Sequence, residues 1–184
     1  MGAALVAVLL VPGGARAAAW LPDVAGTAGS TFAVTGTPSG GGGSISLGAL
    51  WPVEHGLSFG LGLFADDLGE QMGRLTDPKD GSDLGAVSVR HRWALAGAWR
   101  LDARLVERGP WRPYASATWG YYRVRDDVRG VRLGNVGSTG FSLAGGLRWA
   151  ATPHSAFGGS VRYHRLFNDR AGRYVSAGID WSWR

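Results

Sequence analysis

Along most of this chain, large apolar residues alternate one for one with small or polar ones. The clearest run lies near the C-terminus, where Tyr174, Ser176, Gly178, Asp180 and Ser182 alternate with Val175, Ala177, Ile179, Trp181 and Trp183. A period of two over about ten residues describes a strand with two chemically different sides. The pattern predicts up to eight strands. The first is weakest, near 30–37, with Phe32 and Val34 on the apolar phase. Next come Ile45, Leu47, Ala49 and Trp51, then Leu57, Phe59, Leu61 and Leu63. A fourth strand alternates Trp93, Leu95, Gly97, Trp99 and Leu101 with Arg92, Ala94, Ala96, Ala98, Arg100 and Asp102. The fifth sets Trp111, Ala115, Ala117, Trp119 and Tyr121 against Tyr114, Ser116, Thr118, Gly120 and Tyr122. In the sixth, Phe141, Leu143, Leu147 and Trp149 oppose Ser142, Ala144, Gly146 and Arg148. In the seventh, Phe157, Val161 and Tyr163 oppose Ser160, Arg162 and His164.

Short turns at 53–56, 107–110 and 151–154 separate these strands in alternation with polar loops at 66–85, 125–137 and 168–172. The chain has nine tryptophans, and all but Trp20 fall on the apolar phase. In a water-soluble fold that phase would turn to a core, leaving glycine, serine and alanine as the whole surface. The opposite assignment accounts for both faces: small and polar residues fill a crowded interior, and Leu, Phe and Trp face lipid. The apolar spans also share one length. Ten residues at about 3.3 Å each, tilted near 40°, rise about 25 Å, the height of an outer-membrane apolar band. The expected fold is therefore all-β, an eight-stranded antiparallel up-and-down transmembrane β-barrel.

Composition narrows the alternatives. At 184 residues the chain allows one domain, and no stretch reaches the 18 apolar residues of a membrane helix. Cysteine is absent, so disulfide scaffolds and cysteine-based metal sites are excluded. A net charge of +5 could suggest nucleic acid, but the basic residues are scattered and no recognition motif accompanies them. Residues 1–19 resemble a signal peptide. An apolar run from Ala3 to Val11 precedes the small-x-small sites Ala15-Arg16-Ala17 and Ala17-Ala18-Ala19, although no Lys or Arg stands before the run. The barrel is then expected over 29–184.

Aromatic residues sort by turn. Trp51, Trp111, Trp149, Trp181 and Trp183 lie beside the short turns and are expected to form one interfacial girdle. Trp93, Trp119, Tyr121 and Tyr163 lie toward the long loops and are expected to form the other. With these short turns, girdles and the ending Gly178-Ile179-Asp180-Trp181-Ser182-Trp183, residues 29–184 resemble the small eight-stranded outer-membrane barrels of the OmpA, OmpX and OmpW type. Such chains usually end on the aromatic itself, whereas here Arg184 follows. The resemblance implies residence in the outer membrane of a Gram-negative bacterium, a monomer, and handling by the barrel-assembly machinery. No cofactor and no nucleic acid are expected, and because the chain stops at the eighth strand no peptidoglycan-binding domain is expected to follow.

The interior of an eight-stranded barrel is just wide enough for side chains to fill it. Arg100, Asp102, Arg148, Arg162 and Asp180 fall on the inward phase, and buried charges must pair. Asp102 and Asp180 are therefore expected to meet Arg100, Arg148 or Arg162 as a polar plug, with an ion-pair gate as the channel alternative. Above the apolar band the outward phase turns basic at Arg123, Arg165 and Arg173. These guanidinium groups are expected to contact the phosphates of outer-membrane lipids, including lipopolysaccharide.

Enzymatic readings lack residues. Tyr163-His164-Arg165-Leu166 is faintly similar to lipid A 3-O-deacylases with a His-x-Ser pair, but Leu166 stands where the serine should be. The loop Asp77-Pro78-Lys79-Asp80-Gly81-Ser82-Asp83 is acidic but lacks EF-hand spacing, so no metal is expected. The expected function is a structural or surface-interaction barrel without catalysis. Its alternatives are a narrow channel for small or apolar solutes and a soluble lipocalin-like binder.

Overall fold

The computed structural model describes residues 21–33, 42–53, 55–76, 81–106, 109–128, 131–167 and 172–184. Residues 1–19 of the expected signal peptide, Val34, Glu54 and the core of the acidic loop, residues 77–80, lie outside this set. The described chain forms eight strands: β1 (Asp23–Ala33), β2 (Gly42–Pro52), β3 (Leu57–Thr76), β4 (Asp83–Arg104), β5 (Trp111–Val128), β6 (Val131–Ala150), β7 (Ser155–Leu166) and β8 (Arg173–Trp183). Each pairs antiparallel with the next, and β8 pairs with β1, so the sheet closes on itself. Closure leaves no unpaired edge in the wall, which is the condition for a sheet to exist in lipid.

The ladder registers define the barrel's geometry. Starting at Asp23, successive partners are Leu50, Gly60, Arg100, Thr118, Ser142, His164 and Tyr174, and Tyr174 pairs back onto β1 at Ala33. One circuit thus returns ten residues further along β1. For eight strands that stagger sets a tilt of about 40°, so each residue climbs about 2.5 Å along the axis and each strand step about 3 Å. Every wall position then has a height above the Asp23 level. Ala33, Gly42, Leu166 and Arg173, where the four short strands end, all lie at about 23–25 Å. The wall is level at its top and as tall as an outer-membrane apolar band.

Burial follows the expected inversion. Ile179 is 70% exposed, while the adjacent Asp180 is 0% exposed. Leu61, Leu63, Leu95, Trp99, Trp119, Leu143 and Phe157 are all exposed, whereas Ser58, Ser116, Thr118, Ser142, Ser160 and Ser176 are buried. Packing toward an aqueous exterior would reverse both sets. The lipocalin-like alternative, which needs its large apolar residues inside, is therefore overturned.

Two boundaries differ from the sequence reading. β1 begins at Asp23 rather than near residue 29 or 30, because its small residues Ala25, Gly26 and Ala28 pair on both sides, with β2 and β8. Their bulk gives no alternation to read. The expected loops 66–85 and 125–137 are instead mostly strand, with β3 running to Thr76 and β5 to Val128. Above the bilayer neither face needs to be apolar, so alternation stops while the backbone ladder continues. The β2–β3 turn is tight as expected: Val53 donates to the Leu57 carbonyl at 2.9 Å. His55 and Gly56 both take positive φ there, at 48° and 77°.

Candidate functional site: barrel interior and outer rim

Because residues two apart share a strand face, inward positions stack into a column of polar groups. Midway up, Arg100 lays its guanidinium on Asp102, with Nε donating to Oδ1 at 2.7 Å and Nη2 to Oδ2 at 2.8 Å. The bidentate fork is the strongest arrangement available to this pair. Two glycines lie beside it. A Cβ on Gly48 would stand 3.1 Å from Arg100 Nη1, and one on Gly62 would stand 3.7 Å from its Cδ. Beside this pair, Arg148 Nε donates to Asp180 Oδ2 at 2.9 Å, and the Tyr114 hydroxyl donates to the same oxygen. The Arg148 guanidinium also lies 3.8 Å over the Tyr114 ring. That ring occupies the space left by its register partner Gly146, whose Cβ would meet Tyr114 Cε1 at 2.5 Å.

The upper interior is organised around Asp66, which is 1% exposed. Tyr174 donates to it at 2.7 Å and Ser44 at 2.6 Å. His164 stacks on Tyr174 with centroids 4.1 Å apart, and its Nε2 lies 3.2 Å from Ser176 Oγ. Phe64 and Tyr122 present themselves at right angles to the His164 ring. Arg162 donates through Nη1 to Ser142 Oγ at 3.2 Å and covers the Phe64 ring at 4.9 Å. At the short-turn end Arg184 Nε lies 3.1 Å from Asp23 Oδ2, and Arg104 Nη2 lies 3.9 Å from the same oxygen. A cavity of about 40 Å³ lies there, lined by Asp23, Asp102, Arg104, Arg112 and Arg148 among others. Such a space holds a water or two, not a solute path.

All five residues expected in the interior network are buried: Arg100, Asp102, Arg148, Arg162 and Asp180. Asp102 pairs with Arg100 and Asp180 with Arg148, while Arg162 takes a hydroxyl and a ring instead of a carboxylate. Sequence reasoning missed Asp66, which it assigned to a loop. The signal was present, since Asp66 continues the inward phase of Ser58, Gly60, Gly62 and Phe64. Three buried acids (Asp66, Asp102, Asp180) thus face three buried arginines (Arg100, Arg148, Arg162). A barrel filled this way should show no large, stable ohmic steps in planar bilayers. Steps of that kind from purified protein would mean that the plug opens.

His164 is the one histidine expected on the inward phase. His164 is fully buried, and its Nδ1 has no hydrogen-bond partner among the described residues. Among the described residues no carboxylate orients the His164 ring toward Ser176.

On the outer face, Trp51, Trp149, Trp181 and Trp183 lie within about 5 Å of the Asp23 level, and Trp111 about 5 Å below it. Tyr121 lies at about 20 Å and Trp93 at about 27 Å, while Trp119 and Tyr163 sit lower, at about 15–16 Å. The extension of β5 to Val128 moves the loop away from Trp119, which pairs with Trp99 and Phe141 in mid-wall. Arg123, Arg165 and Arg173 are exposed and stand at about 21–25 Å, level with the wall's top. Arg165 and Arg173 are direct register partners.

Tilt, closure and inverted burial together define a small eight-stranded β-barrel of the outer-membrane class. The chain matches no protein-family model and no curated protein sequence. Solved structures with this fold include Neisserial surface protein A, with a TM-score of 0.67 and 16% identity over 88% of this chain and 95% of that one. The N-terminal barrel domain of Pseudomonas aeruginosa OprF is similar at a TM-score of 0.53 and 14% identity, covering 89% and 97%. Ail, the attachment invasion locus protein of Yersinia pestis, is similar at 0.52 and 8% identity, covering 89% and 98%.

Proposed function

We propose that this chain is a non-catalytic protein of the outer membrane that presents a β-sheet above the membrane surface for interaction with a partner. The observation supporting this reading is the unequal length of the strands. β1, β2 and β8 have 11 residues and β7 has 12, whereas β3, β4, β5 and β6 have 20, 22, 18 and 20. The four long strands are consecutive. They therefore leave the wall together as one sheet, and among the described residues β3 beyond Asp66 has no partner strand other than β4, and β6 before Gly140 none other than β5. An edge with free N–H and C=O groups is a template for strand addition.

The single-cysteine variant Ser82→Cys tests this, because the chain has no cysteine of its own. In intact cells a membrane-impermeant maleimide should label Cys at this position, and the protein should fractionate with the outer membrane and change gel mobility on boiling. Labelling only after permeabilisation would place the β3–β4 tip on the wrong side.

The rim arginines belong to the same reading. Arg165 and Arg173 are like charges directly opposite each other, which is unfavourable unless an anion lies between them. We read this pair, with Arg123, as contacts for lipopolysaccharide phosphates at the outer-leaflet headgroup level.

A further inference from the structure

The outer wall is not evenly covered. On β2 to β5 its upper half contains a groove of about 470 Å³, lined by Leu47, Leu63, Leu95 and Tyr121 and shallowest in side-chain bulk at Ala65 and Gly97. A Cβ on Gly97 would meet only Leu63 Cδ2, at 3.8 Å, so this position is open to the outside. Arg123 closes the upper end; its register partner across the sheet is Leu95. Leu47 lies at about 11 Å and Arg123 at about 25 Å, so the groove is about as deep as one leaflet of a bilayer with a 25–30 Å hydrocarbon core. Arg123 makes no ion pair with another described residue. Asp67, two strands away at a similar height, accepts instead from the Gly69 amide at 2.8 Å.

An apolar channel one leaflet long, ending at headgroup height in a guanidinium with no ion-pair partner among the described residues, has the chemistry of a single phosphorylated lipid. We propose that this groove holds one acyl chain of an outer-leaflet lipid whose phosphate is bound by Arg123. The site lies two strands from the nearer member of the Arg165–Arg173 pair, so it is a second and separate contact. The proposal rests on the rim-phosphate reading above and adds the acyl chain to it. A phosphate alone would need only Arg123. An acyl chain needs the missing side chains at Gly97 and Ala65.

The full-length folded chain in detergent micelles is titrated with bisphosphoryl lipid A, with its dephosphorylated form, and with inorganic phosphate, and native mass spectrometry reads the bound fraction. Wild type should retain one bisphosphoryl lipid A at this site. Arg123→Gln should lower that retention roughly tenfold, as loss of a charge-assisted hydrogen bond does, and should leave retention of the dephosphorylated form unchanged. Gly97→Leu fills the groove without backbone strain and should lower retention of both lipids, with Ala65→Leu as the second groove variant. Heat-modifiable mobility checks the folding of each.

If both groove variants bind as wild type while Arg123→Gln does not, the acyl site is overturned and the rim reading survives. If the Arg123, Arg165 and Arg173 triple Ala variant also binds as wild type, both are overturned. Displacement of lipid A by inorganic phosphate at equal concentration would show an anion site with no acyl specificity, which also overturns the proposal.

Discussion

Asp180→Asn should weaken the barrel by about 3–5 kcal/mol, the usual cost of removing one partner of a buried ion pair. Asp180 is fully buried and is bound by both Arg148 and Tyr114. Its loss leaves the Arg148 guanidinium without its directly paired carboxylate inside the barrel. Asp127→Asn supplies the contrast. Asp127 pairs with Arg125 at 3.0 Å, but the arginine side chain is 40% exposed, so the change should cost at most about 1 kcal/mol. Urea unfolding in lipid vesicles compares the two. Equal midpoints would mean that the Arg148–Asp180 pair is not shielded as the structure shows it.

Leu143→Arg should cost about 2–4 kcal/mol and Leu95→Arg about 0–1, measured the same way. Both leucines are exposed, at 54% and 57%, so a water-soluble protein would accept either change. The difference comes from height. Leu143 stands at about 13 Å, near mid-wall, and Leu95 at about 22 Å, beside Arg123, where a new guanidinium can reach the headgroups. Alternation alone does not separate the two, since both leucines lie inside apolar runs. Only the ladder register shows how far β4 has climbed at that point. Indistinguishable midpoints for the two variants would mean that depth does not set the penalty, and the wall's orientation would be wrong.

The contrast shows what alternation encodes. It reports where a strand is in contact with lipid on one side and with the packed lumen on the other. Between Ile45 and Trp51, or between Trp93 and Asp102, both conditions hold and every side was read correctly. At β1 the lipid-facing residues include Gly26 and Ala28, so the signal vanished although the backbone is fully paired. One aromatic compensates: a Cβ on Gly26 would meet Trp181 at 2.7 Å, because Trp181, its register partner, already covers that position. Beyond Asp67 and Arg125 there is no lipid, and a strand leaves no periodic trace.

The interior charges were legible as a set because they lie on one phase. Their pairing was not, since Arg148 and Asp180 come from β6 and β8 and meet over Gly158 of the strand between them. Asp66 was lost because the apolar phase ends beside it; Ser44 is its register neighbour on β2, and only Tyr174 on β8 needs the closed ring to reach it.

That ring has a kinetic consequence. β8 pairs with β1 from Val24↔Trp183 up to Ala33↔Tyr174, so the strand synthesised last among the eight must find the one synthesised first. Until it does, β1 and β8 each expose a full row of unpaired backbone groups, and the wall has no closed section able to enter lipid. Local hairpins such as β2–β3 can form early. The β1–β8 contact spans nearly the whole sequence and must come late, because closing so long a loop gains nothing until the end. A chain of this design passes through its most aggregation-prone state just before completion. It depends on being kept apart from its own copies for as long as that single seam stays open.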